Sequence, residues 1–287
     1  MFRTIASLLL FGTLSPVSPS SLGRSAPIFL AVAPPSSVPA LHVQGRISAS
    51  GAMVLDVLSG KELFALTPDE PRAIASLAKV MTALIILEHH DAHQIVTIPK
   101  GAESVEGNIA GLREGERYTI QDLLGGLLVG SANDAAFALA IIHSGSTAQF
   151  AEAMNVRARS LGLQRTHFEN PMGFDHPRQV STPRDLGWLT LFAWKNETLR
   201  SFVSQKKYTL LEQSEGRSFT LENTNQLLSS HPSSFFGLKT GTTLLAGECL
   251  ISLAMSHGRP YIFVVLKSSD RYRDTLKLLH SLLSQHA

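Results

Sequence analysis

The spacing of apolar residues divides the chain into segments of different period. Residues 47–57 and 61–66 are two strand-like runs around Leu58-Ser59-Gly60, which predicts a hairpin. From residue 74 to about 200 the spacing is mostly helical. Two helix starts there are marked. Thr119 can cap a helix over residues 120–129 with Asp122 three positions on, and Thr182-Pro183 supplies a cap followed by proline, with Asp185 in the first turn. After about residue 205 the strand pattern returns. Residues 249–256 and 261–266 flank His257-Gly258-Arg259-Pro260, a second hairpin signal. The final segment, 271–286, has a helical period with Leu276, Leu279 and Leu283 on one face, and packing against the sheet is its simplest use. Strands at both ends with helices between them predict an α+β fold. One antiparallel β-sheet, built from the early hairpin and three late strands, is flanked by helices and carries a helical insertion.

The bulk composition fits this picture. The chain has 287 residues, 44% of them hydrophobic, enough for one large domain or a domain with a helical lobe. Its formal charge of +2, with no run of Lys or Arg, makes nucleic acid an unsuitable partner. The single cysteine, Cys249, excludes an internal disulfide and lies in an apolar stretch that suits a buried structural thiol. Residues 1–45 are expected to be a signal-like segment and a Pro/Ser-rich linker, ahead of a domain over 46–287. Arg3 precedes a short apolar core at residues 5–14, as in an export signal. Ala31-Val32-Ala33 has the form of a cleavage site, but Pro34 follows it and should hinder cleavage. An uncleaved leader would give peripheral membrane association; no other stretch is long and apolar enough to span a bilayer.

Three short motifs carry the chemistry: Ser76-Leu77-Ala78-Lys79, Ser131-Ala132-Asn133 and Lys239-Thr240-Gly241. In a chain of this length S-x-x-K and S-x-N each occur about once by accident, and K-T-G in about one chain in ten. Their order and settings add weight. Ser76 opens an apolar run, 75–87, that reads as a buried helix. Ser131 lies between two helical stretches. Lys239 lies in a strand-like run, Phe235–Thr243. Residues three apart on a helix share a face, so Lys79 returns beside Ser76. A serine hydroxyl needs a base, and a neutral lysine can be that base. Apolar neighbours and a second cation, for which Lys239 is the candidate, both favour the neutral form. The Ser76 N–H and one after Gly241, that of Thr242, can form an oxyanion hole. Taken singly, each motif also has a plain reading: a helix cap, a loop capping the next helix, and a solvated strand-end lysine.

The set S-x-x-K, S-x-N and K-T-G resembles that of penicillin-binding proteins and serine β-lactamases. Over residues 45–280 the chain is similar to the low-molecular-mass penicillin-binding proteins that are serine D-alanyl-D-alanine carboxypeptidases. The segments IASLAKVMTALIILE (74–88), GLREGERYTIQDLLGGLLVGSANDAA (111–136), STPRDLGWL (181–189), NTNQLL (223–228) and GLKTGTTLLAGECLISLA (237–254) carry this resemblance. It implies a β-lactamase/transpeptidase-like architecture and no cofactor or metal. It implies that Ser76 attacks the D-Ala-D-Ala terminus of a peptidoglycan stem peptide, with Lys79 as base and Ser131 as proton relay. Asn133 would hold the substrate amide and Lys79. Lys239 and Thr240 would bind the terminal carboxylate, Gly241 would let the substrate strand approach, and Thr242 would supply its N–H. β-Lactams would be covalent inhibitors, and the location would be periplasmic or otherwise extracytoplasmic.

Two departures and several rivals accompany the resemblance. In Asn170-Pro171-Met172-Gly173-Phe174-Asp175, Met172 stands where the family carries His. Lys267 and Arg271 are the candidates for an arginine that many members direct at the substrate carboxylate. Many members also carry a second β-rich domain and an amphipathic anchor, whereas this chain reads as the catalytic domain alone. A class A β-lactamase needs Glu-x-x-x-Asn, and the adjacent Glu169 and Asn170 do not reproduce it. A D,D-endopeptidase and a non-catalytic cell-wall binding protein share the fold. His89 and His93 have a ligand-compatible helical spacing, but the metalloprotease motif is absent, and they suit the polar end of the Ser76 helix.

Overall fold

The computed structural model describes residues 41–43 and 45–285. The leader and the cleavage form Ala31-Val32-Ala33 lie outside them. In chain order the first elements are β1 (Gly51–Asp56), β2 (Glu62–Leu66), β3 (Arg72–Ala73), α1 (Lys79–His89), β4 (Ile95–Thr97) and β5 (Arg117–Thr119). Next come α2 (Ile120–Leu128), α3 (Asn133–Ser144), α4 (Thr147–Ser160), β6 (Val180–Ser181), α5 (Pro183–Trp194) and α6 (Glu197–Val203). The chain continues through β7 (Lys207–Leu211), β8 (Ser218–Glu222), α7 (Leu227–Ser230), β9 (Phe235–Thr243), β10 (Gly247–Ser256), β11 (Arg259–Ser268) and α8 (Arg271–Gln285).

The early hairpin and the three late strands form one five-stranded sheet in the order β2-β1-β11-β10-β9. All neighbours are antiparallel, and Gly51 of β1 pairs with Leu266 of β11. Strand alternation splits the apolar residues between two cores. Met53, Leu55, Ile251, Leu253, Ile262 and Val264 face the larger one, with α1, α2, α3 and α5. Ala52, Val54, Leu250, Ala254, Phe263 and Val265 face the smaller one, under α8. The inner strands are apolar at successive positions because helices cover both faces, and β9 is left as an edge.

Both marked helix starts form. Thr119 and Asp122 make a reciprocal capping box on α2. Thr182 accepts the Asp185 N–H at the start of α5, with Pro183 in the first turn. The stretch 74–200 is less helical than its spacing predicts. β4 pairs with β5, and Gly101, Gly107, Gly111 and Gly115 take positive φ in the loop between them. Strands β7 and β8 form a separate hairpin against α2 rather than joining the main sheet, and Tyr208 fills the space above Gly125.

The inward face of α8 differs from the expected one. Leu278, Leu279 and Leu282 are buried, Leu276 is partly buried and Leu283 is 37% exposed. Asp274 sets this rotation. Its buried carboxylate accepts the N–H groups of Ser48 and Ala49 and the hydroxyls of Ser48 and Ser268. That anchor turns positions 274, 278 and 282 inward, a constraint that leucine spacing alone does not contain. Leu278→Ala should therefore cost about 2–5 kcal/mol in equilibrium urea unfolding. Leu283→Ala should cost less than about 1 kcal/mol, and equal losses would contradict this orientation.

Candidate active site

Ser76 lies in a 3-10 turn, Ala75–Ala78, that runs directly into α1. The expected buried helix therefore begins at Lys79, one turn later than the apolar run. Two glycines hold the turn. A Cβ on Gly241 of β9 would stand 2.9 Å from both Ala75 Cβ and Ser76 N. A Cβ on Gly173 would stand 2.2 Å from the Ala75 carbonyl oxygen, and Gly173 also has φ +93. Gly241 thus lets β9 close onto the Ser76 turn itself, a role separate from the expected approach of a substrate strand.

Lys79 is buried, and its Nζ makes three contacts: Ser76 Oγ at 3.0 Å, Asn133 Oδ1 at 2.7 Å and the Met172 carbonyl at 2.5 Å. Asn133 Nδ2 donates to the Glu106 carbonyl at 2.7 Å, which turns Oδ1 toward the lysine. The Asn133 N–H is taken by the Asn108 carbonyl. Desolvation, and then the positive charge of Lys239, hold the Lys79 amine well below the ordinary lysine range, and Asp134 opposes them. A neutral amine has two N–H groups and one lone pair. Asn133 Oδ1 and the Met172 carbonyl can only accept. In the neutral form the two protons go to them, which leaves the lone pair for the Ser76 hydroxyl.

Ser131 is buried at the end of the segment joining α2 to α3 and takes φ +59. Such a backbone is uncommon for a residue with a side chain and costs on the order of 1–3 kcal/mol. Ala132 N–H bonded to the Gly126 carbonyl and Thr224 N–H bonded to the Val129 carbonyl brace the segment, and Leu221 packs over Gly130. The Ser131 hydroxyl is not one of the three partners of Lys79.

Lys239 is 1% exposed, and its Nζ donates to the Thr240 carbonyl at 3.0 Å. Burial, and then the nearby Arg271 guanidinium, bring its amine down to about 7. The hydroxyls of Thr240 and Thr224 lie 2.6 Å apart. Arg271 donates to the Gly241 carbonyl at 2.9 Å and to Thr242 Oγ1 at 2.7 Å. Of the two cationic candidates Arg271 therefore reaches the site strand, while Lys267 is exposed. Cys249, behind Gly241, is buried, and desolvation pushes its thiol up to about 11.

Several working groups are backbone atoms that side-chain reading misses. Met172 is itself a core side chain, and its carbonyl supplies the contact to Lys79. Asn170 Oδ1 accepts the N–H groups of Gly173 and Phe174 and so shapes that loop. Asp134 accepts from Ala110, Gly111 and Leu112 and fixes the loop beside Asn133. The Glu169 carboxylate pairs with His167 and Arg178 rather than with the lysines. His89 packs edge-on against His143, and its Nδ1 lies 2.8 Å from the Ile85 carbonyl.

Comparison with known proteins identifies relatives over most of the chain. Residues 37–270 match the family model described as D-alanyl-D-alanine carboxypeptidase. The D-alanyl-D-alanine carboxypeptidase DacF of Bacillus subtilis is 32% identical over 246 residues, covering 83% of this chain and 63% of the relative. The chain thus spans a little under two thirds of that protein. A D-alanyl-D-alanine carboxypeptidase of Streptomyces strain K15 is 35% identical over 253 residues, 82% of this chain and 87% of the relative. A crystal structure named as the Streptomyces K15 DD-transpeptidase superposes with a TM-score of 0.78 at 34% identity, covering 84% of this chain and 98% of that one. A D-alanyl-D-alanine endopeptidase of Pseudomonas aeruginosa is 30% identical over 235 residues, 81% of this chain and 75% of the relative. The matched span and these identities establish that the chain belongs to the D-alanyl-D-alanine carboxypeptidase family.

Proposed function

We propose that the domain over residues 46–287 is a serine D,D-carboxypeptidase that removes the terminal D-alanine from peptidoglycan stem peptides. The observation that carries this reading is the buried Lys79 Nζ held 3.0 Å from Ser76 Oγ, with Asn133 Oδ1 and the Met172 carbonyl as its other two partners. Protonated Lys239 and the Thr240 hydroxyl bind the substrate's terminal carboxylate. The scissile carbonyl then lies over Ser76. Arg271 takes the Gly241 carbonyl on the β10 side, so strand alternation turns the Thr242 N–H to the open edge. That N–H and the Ser76 N–H receive the developing oxyanion.

As Ser76 Oγ bonds to the carbonyl carbon, its proton passes to Lys79 Nζ. Collapse of the tetrahedral species breaks the C–N bond. Ser131 relays the proton to the departing nitrogen, and D-alanine leaves. Asn133, whose Oδ1 holds Lys79, keeps one amide proton for the acyl-side carbonyl. A water attacks the ester with Lys79 again as base, which frees the shortened peptide and Ser76. β-Lactams present a carboxylate and a strained amide to the same groups and acylate Ser76. This substrate lies outside the cytoplasm, which supports export; no helix among the described residues is long and apolar enough to cross a membrane. The endopeptidase relative motivates a second reading, in which the same groups cut a crosslink.

Intact-mass measurement after incubation with benzylpenicillin should give a penicilloyl adduct that Ser76→Ala abolishes. Lys79→Ala should slow acylation about a thousandfold while the fold is retained. An unchanged rate in either variant would overturn the mechanism. Incubation with a D-Ala-D-Ala peptide should release D-alanine, and cleavage of crosslinked muropeptides alone would select the endopeptidase reading.

The pH profile follows from the two lysines. The Lys239 cation is present below about 7 in the free enzyme and is lost as pH rises through that value. Lys79 must be neutral, and its depressed proton affinity places its requirement well below the usual lysine range. For a carboxylate-bearing substrate, kcat/KM should fall on the alkaline side with a midpoint near 7. A substrate with its terminal carboxylate amidated should lack that alkaline limb.

A further inference from the structure

Asn223, Thr224 and Asn225 take no part in the chemistry above, yet the bend they form reaches the carboxylate clamp. The bend joins β8 to α7 and is fixed by its own side chains. Asn223 Oδ1 accepts the Asn225 N–H at 2.8 Å, and Asn225 Oδ1 accepts the Leu227 N–H at 3.1 Å. Asparagine suits such places because its side-chain oxygen can take a backbone N–H two residues on. Asn223 Nδ2 donates to the Gln205 carbonyl at 2.8 Å and ties the bend to the segment before β7. Thr224, between the two asparagines, is held at both of its backbone groups. Its N–H donates to the Val129 carbonyl at 3.3 Å, and its carbonyl accepts the Tyr272 hydroxyl at 3.0 Å. The segment that carries Ser131 and the first turn of α8 therefore both fix its position.

The side chain so held meets one atom. Thr224 Oγ1 lies 2.6 Å from Thr240 Oγ1, and among the described residues each hydroxyl has the other as its only hydrogen-bond partner. A hydroxyl carries one proton and can also accept, whereas a carboxylate can only accept. Once a carboxylate takes the Thr240 proton, that proton is no longer available to Thr224. The bond between the two hydroxyls then survives in one direction only, with Thr224 donating and Thr240 accepting. A proton given to Thr240 Oγ1 polarises the outgoing O–H and strengthens its bond to the anion. It also limits rotation of the Thr240 hydroxyl, so less freedom is lost when the carboxylate binds.

We propose that Thr224 is a positioning residue that donates its hydroxyl proton to Thr240 and so turns the Thr240 hydroxyl onto the substrate's terminal carboxylate. The role rests on the assignment of Thr240 to the carboxylate clamp. D-Alanine release from a D-Ala-D-Ala peptide is measured for the wild type, Thr224→Val, Thr224→Ala, Thr224→Ser, Thr240→Val and the Thr224→Val/Thr240→Val double variant. Valine keeps the branched shape of threonine, and serine and alanine differ by the hydroxyl alone.

Thr224→Val and Thr224→Ala should raise KM roughly tenfold with kcat little changed. Thr224→Ser keeps the donor and should stay within about twofold of the wild type. In the Thr240→Val background, Thr224→Val should add nothing, because the proton has lost its acceptor. Three results would each overturn the positioning role and leave the serine mechanism standing: an unchanged KM in the valine and alanine variants, a serine variant as impaired as the alanine one, or a full further loss in the double variant. A wild type that forms the penicilloyl adduct but releases no D-alanine would overturn the carboxypeptidase reading alone, and the same comparisons in benzylpenicillin acylation would then decide the role of Thr224. Absence of the adduct would overturn both.

Discussion

A lysine amine removed from water with no carboxylate against it is the constraint on which the rest depends. Lys79 and Lys239 are both buried, and neither forms an ion pair among the described residues. Burial lowers both proton affinities; the Lys239 charge lowers that of Lys79 further, and burial with the Arg271 guanidinium brings that of Lys239 to about 7. The surrounding architecture preserves this arrangement. The Ser76 turn, the Asn133 segment, the Met172 loop and β9 each contribute a wall or an acceptor. None of the acceptors at Lys79 is anionic.

Much of the fold was legible because its period changes are clean. Alternation marked the early hairpin and the late strands, and capping residues marked α2 and α5. The face of α8 was misjudged because a buried aspartate fixes it from outside the helix. The fold of the 101–118 loop and the separate β7–β8 hairpin were not legible either. Both depend on glycine conformations and on packing against α2 that no local window contains.

At the site, the residues that present side-chain chemistry were legible, and those that present backbone were not. Ser76 and Lys79 meet as their spacing implied, and Asn133 joins them as the family resemblance implied. Lys239 supplies the second positive charge beside Lys79, as expected. The carbonyls of Met172, Glu106 and Asn108 carry no residue-type signal. Their neighbours do: Gly173, Gly107 and Asn170 are the residues that aim those peptide planes. Ser131 adds strain to this list, since its left-handed backbone is held by contacts from Gly126, Leu221 and Thr224.

The Met172 carbonyl also bears on how the sequence can drift. Its contact with Lys79 belongs to the peptide plane, so that contact does not depend on which side chain residue 172 carries. The obligation passes to the next position, where Gly173 must hold φ +93 under the Ala75 carbonyl. The exchange at residue 172 thus leaves the carbonyl contact in place, while the small residue beside it has almost no freedom. Tolerance and necessity sit on adjacent residues of the same loop, and residue type alone would rank them the wrong way round.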